Sequence, residues 1–185
     1  QALRDKQRDS YGALLRTEGK SMLCASPELF FRRDGDLITS RPMKGTIRRG
    51  RTLEEDAALR EWLSKDEKSR AENVMIVDLL RNDIGRVSQF GSVKVPALFE
   101  VEQYDSLFQM TSTVQGRLKP GTEYADIFRA LFPCGSITGA PKIRSMQIID
   151  ELESQQRGIY TGAIGMISPD QKATFNVAIR TIMVE

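Results

Sequence analysis

Read for the period of its apolar positions, the chain predicts strands towards both ends and most of its helices between them. Tyr11 to Arg16 and Ser21 to Ala25 predict short strands, after a polar helix end at residues 1–9. Glu28 to Arg33 and Asp36 to Thr39 flank Asp34-Gly35, a pair suited to the positive dihedrals of a tight hairpin turn. Ser40 to Arg51 reads as an extended loop. Thr52 with Glu55 three residues on is a capping-box pattern, opening a helix to about Lys65. A second helix is predicted from Asp66 to Val87. Its middle, Val74-Met75-Ile76-Val77, is apolar all round, which predicts burial from more than one direction.

After Gly91 the period changes to two. Val93, Val95 and then Tyr104 to Leu118 predict a long half-buried strand, with Gln109 and Thr111 on one side and Phe108, Met110 and Val114 on the other. Residues 122–132 and 140–156 predict helices, with Pro133 to Gly139 a loop before the second. Strands at 159–167 and 173–184, joined by Ser168-Pro169-Asp170, close the chain. Helices grouped between antiparallel strands imply an α+β fold of stacked antiparallel sheets with helices on the outside.

Composition narrows the chemistry. Of 185 residues, 27 are Lys or Arg and 25 Asp or Glu, interleaved in sign, which argues against a nucleic-acid partner. No apolar run reaches the roughly 20 residues that span a bilayer, so no membrane partner is expected. The count of zero His excludes a Ser-His-Asp triad, a Cys-His pair and a His-ligated metal within these residues. Acid–base work then falls to Asp, Glu, Lys or Tyr, and an all-oxygen metal site suits Mg²⁺. Cys24 and Cys134 form no metal or redox spacing, so free thiols and a cytoplasmic setting are expected. The chain opens at Gln1 and stops at Glu185 after a strand pattern, and is read as a piece of something longer.

Several residues could carry chemistry. Gly135-Ser136-Ile137-Thr138-Gly139-Ala140-Pro141-Lys142 joins glycines, hydroxyls and a cation at a helix start: an anion cradle, or an ordinary glycine-rich cap. Alternation sets Arg180 opposite the apolar face of 175–183, either solvated or a planar fork for a carboxylate. Glu72 either supports its helix or binds a hard cation. Lys44 lies among Arg41, Arg48 and Arg49; gathered in space, those cations would favour a neutral, nucleophilic amine, and otherwise the loop is merely solvated. Glu28 is a strand-edge carboxylate, or a general acid if buried.

Six segments, in order, resemble the chorismate-utilising enzymes: Ser26 to Phe30, Arg41 to Thr46, Ala71 to Asp83, Gly135 to Lys142, Tyr160 to Gly165, and Ile179-Arg180-Thr181. That family includes anthranilate, aminodeoxychorismate, isochorismate and salicylate synthases. Lys44, where anthranilate synthases usually carry Ala, resembles the aminodeoxychorismate branch, which makes the precursor of 4-aminobenzoate and folate. The resemblance implies that Lys44 attacks the chorismate ring while Glu28 protonates the departing hydroxyl. Ammonia from a glutamine amidotransferase subunit then displaces the lysine. It implies Glu72 on Mg²⁺, and Thr46, Gln109, Gly135, Ser136, Thr138, Gly139, Lys142, Tyr160 and Arg180 around the substrate. Sister activities on chorismate, or a non-catalytic binding module, are the alternatives. Gln109 departs from the family pattern, standing where most members have an active-site His, and can donate a hydrogen bond but not act as a base. Residues 1–185 are expected to form a single partial catalytic domain, without the family's N-terminal portion and glycine-rich C-terminal motif.

Overall fold

The computed structural model describes residues 11–184, so the helix end expected at residues 1–9 lies outside the described residues. Strands β1 (Tyr11–Thr17) and β2 (Lys20–Ser26) form one hairpin, and β3 (Leu29–Asp34) and β4 (Leu37–Arg41) a second. The second turn falls one residue later than expected, at Gly35-Asp36, where Gly35 takes φ 60°. The loop expected over 40–51 is instead mostly strand β5 (Met43–Arg48), because its backbone pairs with Leu107–Thr111.

Helix α1 (Leu53–Lys65) begins at Thr52, whose hydroxyl accepts the Glu55 N–H at 3.2 Å. Only half of the capping box forms: the Glu55 carboxylate takes the Arg51 N–H and the Arg48 guanidinium instead of the Thr52 N–H. Helix α2 (Glu67–Val87) is capped by Asp66 on the Ser69 N–H, at 2.8 Å. It is buried along one stripe, Ile76, Val77, Leu80, Ile84 and Val87, whereas Val74 and Met75 are exposed; the expectation of burial all round is corrected. Strand β6 (Lys94–Gln103), unforeseen beyond Val95, precedes β7 (Leu107–Arg117). β7 is buried on both faces, not one, since β5, β6 and β4 pair along it and helices cover it.

Helix α3 (Tyr124–Leu131) leads into the expected loop at 133–139, part of which is a helical turn, α4 (Gly135–Thr138). Helix α5 (Lys142–Leu152), strands β8 (Ala163–Ile167), β9 (Ala173–Val177) and β10 (Thr181–Val184) complete the order. The strand expected to run unbroken over 173–184 is interrupted at Ala178–Arg180, where Arg180 takes φ 50°, and β10 leaves β9 to pair with β2.

Every strand pairing in the two sheets is antiparallel. One sheet has the order β1-β2-β10; the other, seven-stranded, runs β5-β7-β4-β3-β9-β8 with β6 on the other edge of β7. The core lies where α2 and α3 cover the larger sheet: Phe30, Phe31, Ile38 and Val114 from strands meet Ile76, Leu80, Ile84, Ile127 and Leu131 from helices. A smaller cluster of Cys24, Ile164 and Ala178 joins the two sheets. The expected α+β architecture of antiparallel sheets with outer helices is the one observed.

Candidate active site

Three backbone devices bring Glu28, Lys44 and Ser136 together. Glu28 occupies the corner between the two hairpins, its N–H donating to Ser26 Oγ at 3.2 Å and its carbonyl accepting from Val177 N–H at 3.1 Å. Lys44 sits in a β-bulge: with Met43 opposite Thr111 and Thr46 opposite Gln109, both Lys44 and Gly45 face Met110 alone. Gly45 takes φ 90°, and a Cβ there would stand 2.7 Å from Ser69 Cβ of α2, so glycine is required for the strand to pass the helix. Ser136 is carried by α4. A Cβ on Gly135 would lie 2.6 Å from Leu79 Cδ2, so this glycine serves close packing of α4 on α2.

Lys44 Nζ donates to the Ser136 carbonyl at 3.2 Å. Glu28 is buried, and its carboxyl pKa is pushed up to about 7 by burial; the Ser136 hydroxyl, the Lys44 ammonium and the Met43 backbone each pull it back part of the way. Glu28 Oε1 has no hydrogen-bond partner among the described residues. A carboxyl that keeps a proton near neutrality, with one oxygen free and an amine beside it, is an acid poised for transfer next to a nucleophile.

Of the cations near Lys44 in sequence, Arg41 pairs with Glu102, Arg48 with Glu55 and Arg49 with Asp56, so each is offset by its own carboxylate. Next to Lys44, Thr46 Oγ1 donates to Gln109 Oε1 and Gln109 Nε2 donates to the Gly45 carbonyl, both at 2.7 Å. Gln109 thereby holds the bulge in shape. Thr138 Oγ1 donates to the Cys134 carbonyl, and Gly139, at φ 93°, ends the turn.

Glu72 shares its stripe of α2 with Ser69 and Leu79, the side chains against Gly45 and Gly135, so the carboxylate faces the same end of the site. It is half-exposed, and pairs with the Lys68 ammonium at 3.9 Å. No three acidic or sulfur ligands cluster for a metal among the described residues. One available carboxylate still fits Mg²⁺, which commonly takes one or two from protein and completes its shell with substrate oxygens and water.

Tyr160 and Arg180 are held by a second backbone junction. Thr161 N–H donates to the Ala178 carbonyl at 2.9 Å and Ala178 N–H to the Gly162 carbonyl at 2.8 Å, so Tyr160, next to Thr161, and Arg180, two residues after Ala178, flank one crossing point. Both are exposed, and neither is hydrogen-bonded to Lys44 or Glu28. Tyr160 and Thr138 line a groove of about 640 Å³ with Arg157 and residues of α5; neither Glu28 nor Lys44 lines it.

Lys142 is paired within the protein. Its Nζ donates to the Leu131 carbonyl at 2.8 Å and meets Asp83 Oδ2 at 2.6 Å, and both side chains of the pair are largely buried. Burial raises the Asp83 pKa although Lys142 opposes it. Sequence reasoning also passed over Cys134, which is buried with its Sγ 3.2 Å from Ser136 Oγ; its thiol is pushed up to about 12 by burial and by Glu28. Cys24 and Cys134 are both unpaired, as expected.

An acid and an amine held this close can carry out acid-assisted nucleophilic displacement. Comparison with known proteins makes this specific: the chorismate binding enzyme family matches residues 1–185, and the chain belongs to that family. It is 48% identical over 180 residues to aminodeoxychorismate synthase component 1 of Bacillus subtilis, covering 97% of this chain and 38% of the relative. It is also 48% identical over 182 residues to an anthranilate synthase component 1 of Haloarcula marismortui, covering 98% of this chain and 37% of that one. The crystal structure of anthranilate synthase component I from Streptococcus pneumoniae superposes with a TM-score of 0.89 at 38% identity, over all of this chain and 40% of that structure. The chain thus spans about two fifths of the length of these relatives.

Proposed function

We propose that these residues form the nucleophile-bearing part of an aminodeoxychorismate synthase, which converts chorismate and ammonia to 4-amino-4-deoxychorismate. The observation that carries the reading is Lys44 beside a Glu28 carboxyl held protonated to about pH 7. A relative of each activity is equally similar, at 48%, so the choice of product rests on Lys44 itself.

In the first step the Lys44 amine forms a C–N bond to the substrate ring as the ring C–O bond breaks, and Glu28 delivers its proton to the leaving hydroxyl, which departs as water. Lys44 attacks as the neutral amine while Glu28 holds its proton, and the proton shed by the new amino group in the second step restores the Glu28 carboxyl. In the second step ammonia forms the new C–N bond and the bond to Lys44 breaks, returning the amine. Glu28 Oε1, free of partners, is the oxygen that addresses the substrate. Thr46, Gln109 and the Gly135–Gly139 turn line the ring end, and Tyr160 and Arg180 take substrate carboxylates on the rim. Glu72 would hold Mg²⁺, which when bound neutralises a substrate carboxylate. Ammonia comes from a glutamine amidotransferase subunit, and the reaction takes place in the cytoplasm.

The test uses the full-length protein that contains these residues, with chorismate, ammonium and Mg²⁺, and identifies the product by mass spectrometry. Aminodeoxychorismate is expected, with turnover lost in Lys44→Ala and in the presence of a chelator. Anthranilate or isochorismate as product, or unchanged turnover in Lys44→Ala, overturns the proposal.

A further inference from the structure

Residues 132–141 leave the end of α3 and return at the start of α5, and between those ends they carry the Ser136 carbonyl that Lys44 contacts. Lys142, the first residue after this segment, donates to the carbonyl of Leu131, the last residue before it, at 2.8 Å. The same ammonium meets Asp83 Oδ2 of α2 at 2.6 Å, with the two side chains only 13% and 5% exposed. One cation therefore closes the loop upon itself and fastens it to the helix whose Leu79 packs under Gly135.

We propose that Lys142, through Asp83, is a positioning residue that sets the Ser136 carbonyl against Lys44 and makes no contact with substrate. The inference rests on the role given above to Lys44. An ammonium enclosed by a carboxylate and a helix-end carbonyl has little left to offer a ligand. Removing either partner strands the other as a buried, unmatched group, so the two are coupled. The loop lies beside the acid, and a displacement of about 1 Å at a reacting group reduces rate by ~100-fold.

Lys142→Met, Asp83→Asn and the double variant, made in the full-length protein, separate this from substrate binding. Steady-state kinetics with chorismate and ammonium are read beside amide hydrogen exchange over residues 132–141. Both single variants are expected to lower kcat by about 100-fold with KM for chorismate little changed, and to speed exchange in the loop alike. The double variant, with neither charge left unmatched, is expected to recover about tenfold of kcat, and Lys142→Arg, which keeps the pair, most of it. If Lys142 instead bound substrate, Lys142→Met would raise KM, Asp83→Asn would behave as wild type, and the double variant would match Lys142→Met; that pattern overturns the proposal. So does loop exchange unchanged in both single variants. Wild-type protein that turns over no chorismate would defeat the proposed chemistry and leave the exchange measurement to decide the clamp.

Discussion

Glu28 binds its proton up to about pH 7 in the folded protein, against an ordinary value of 4.5. Between those values the native state holds a proton that the unfolded chain has released, so stability falls as pH rises through this window and is level on either side of it. A shift of this size corresponds to about 3 kcal/mol. Denaturant titrations of the full-length protein between pH 4 and 8 (on the order of this window) are expected to show wild type losing stability relative to Glu28→Gln, which has no proton to lose. Parallel curves would mean that the carboxyl ionises normally. If, as proposed, the same proton is the one delivered to the leaving group, turnover is expected to decline as pH rises through about 7, and Glu28→Gln to lose a factor of ~10²–10⁴ in kcat.

The bulge at Lys44-Gly45 is an element-scale device, since it needs β5, β7 and α2 together. Gly45→Ala places a Cβ on Ser69 at a φ that side chains avoid, and is expected to cost about 1–3 kcal/mol in denaturant melts while moving Lys44 enough to lower kcat. Leu80→Ala, in the middle of the buried stripe of α2, is expected to cost about 2–5 kcal/mol by leaving a cavity. What the sequence makes readable divides along this line. The Thr52 and Asp66 caps and the turn at Gly35 are local chemistry, and they stand within a residue of expectation. Strand β5 is short and basic, and exists because β7 offers it a ladder; no local signal announces it. The period-two pattern at 173–184 continues through the break at Arg180, because a side-chain alternation does not record a change of pairing partner from β3 and β8 to β2. Asp83 was more accessible: it falls on the stripe of Ile76, Leu80, Ile84 and Val87, and a charge on an apolar stripe calls for a buried partner. That the partner is Lys142, far along the chain, is tertiary information. That Glu28, Lys44 and Ser136 serve one site was implied by family resemblance, since spacing alone left an ordinary loop or edge reading open for each of them.

At the scale of the molecule, the question is where ammonia comes from. Releasing it from glutamine by a thiol needs an activated, accessible cysteine, and here there is no His, both cysteines are buried, and the Cys134 thiol is pushed up to about 12. On the proposed reading, the amine and acid these residues do supply act on the ring and accept free ammonia. The full-length protein, if it carries no amidotransferase of its own, is therefore expected to work with ammonium salts and to use glutamine only after an amidotransferase subunit is added. The two nitrogen sources should also differ in pH profile. With ammonium, raising the pH enlarges the fraction of neutral ammonia while Glu28 loses the proton it must deliver, so the profile is a compromise shifted to higher pH. With glutamine and the partner, ammonia arrives already formed, so the profile should lose its dependence on ammonium ionisation and lie lower. Coincident profiles would mean that ammonia delivered by the partner equilibrates with solvent before it reaches Lys44.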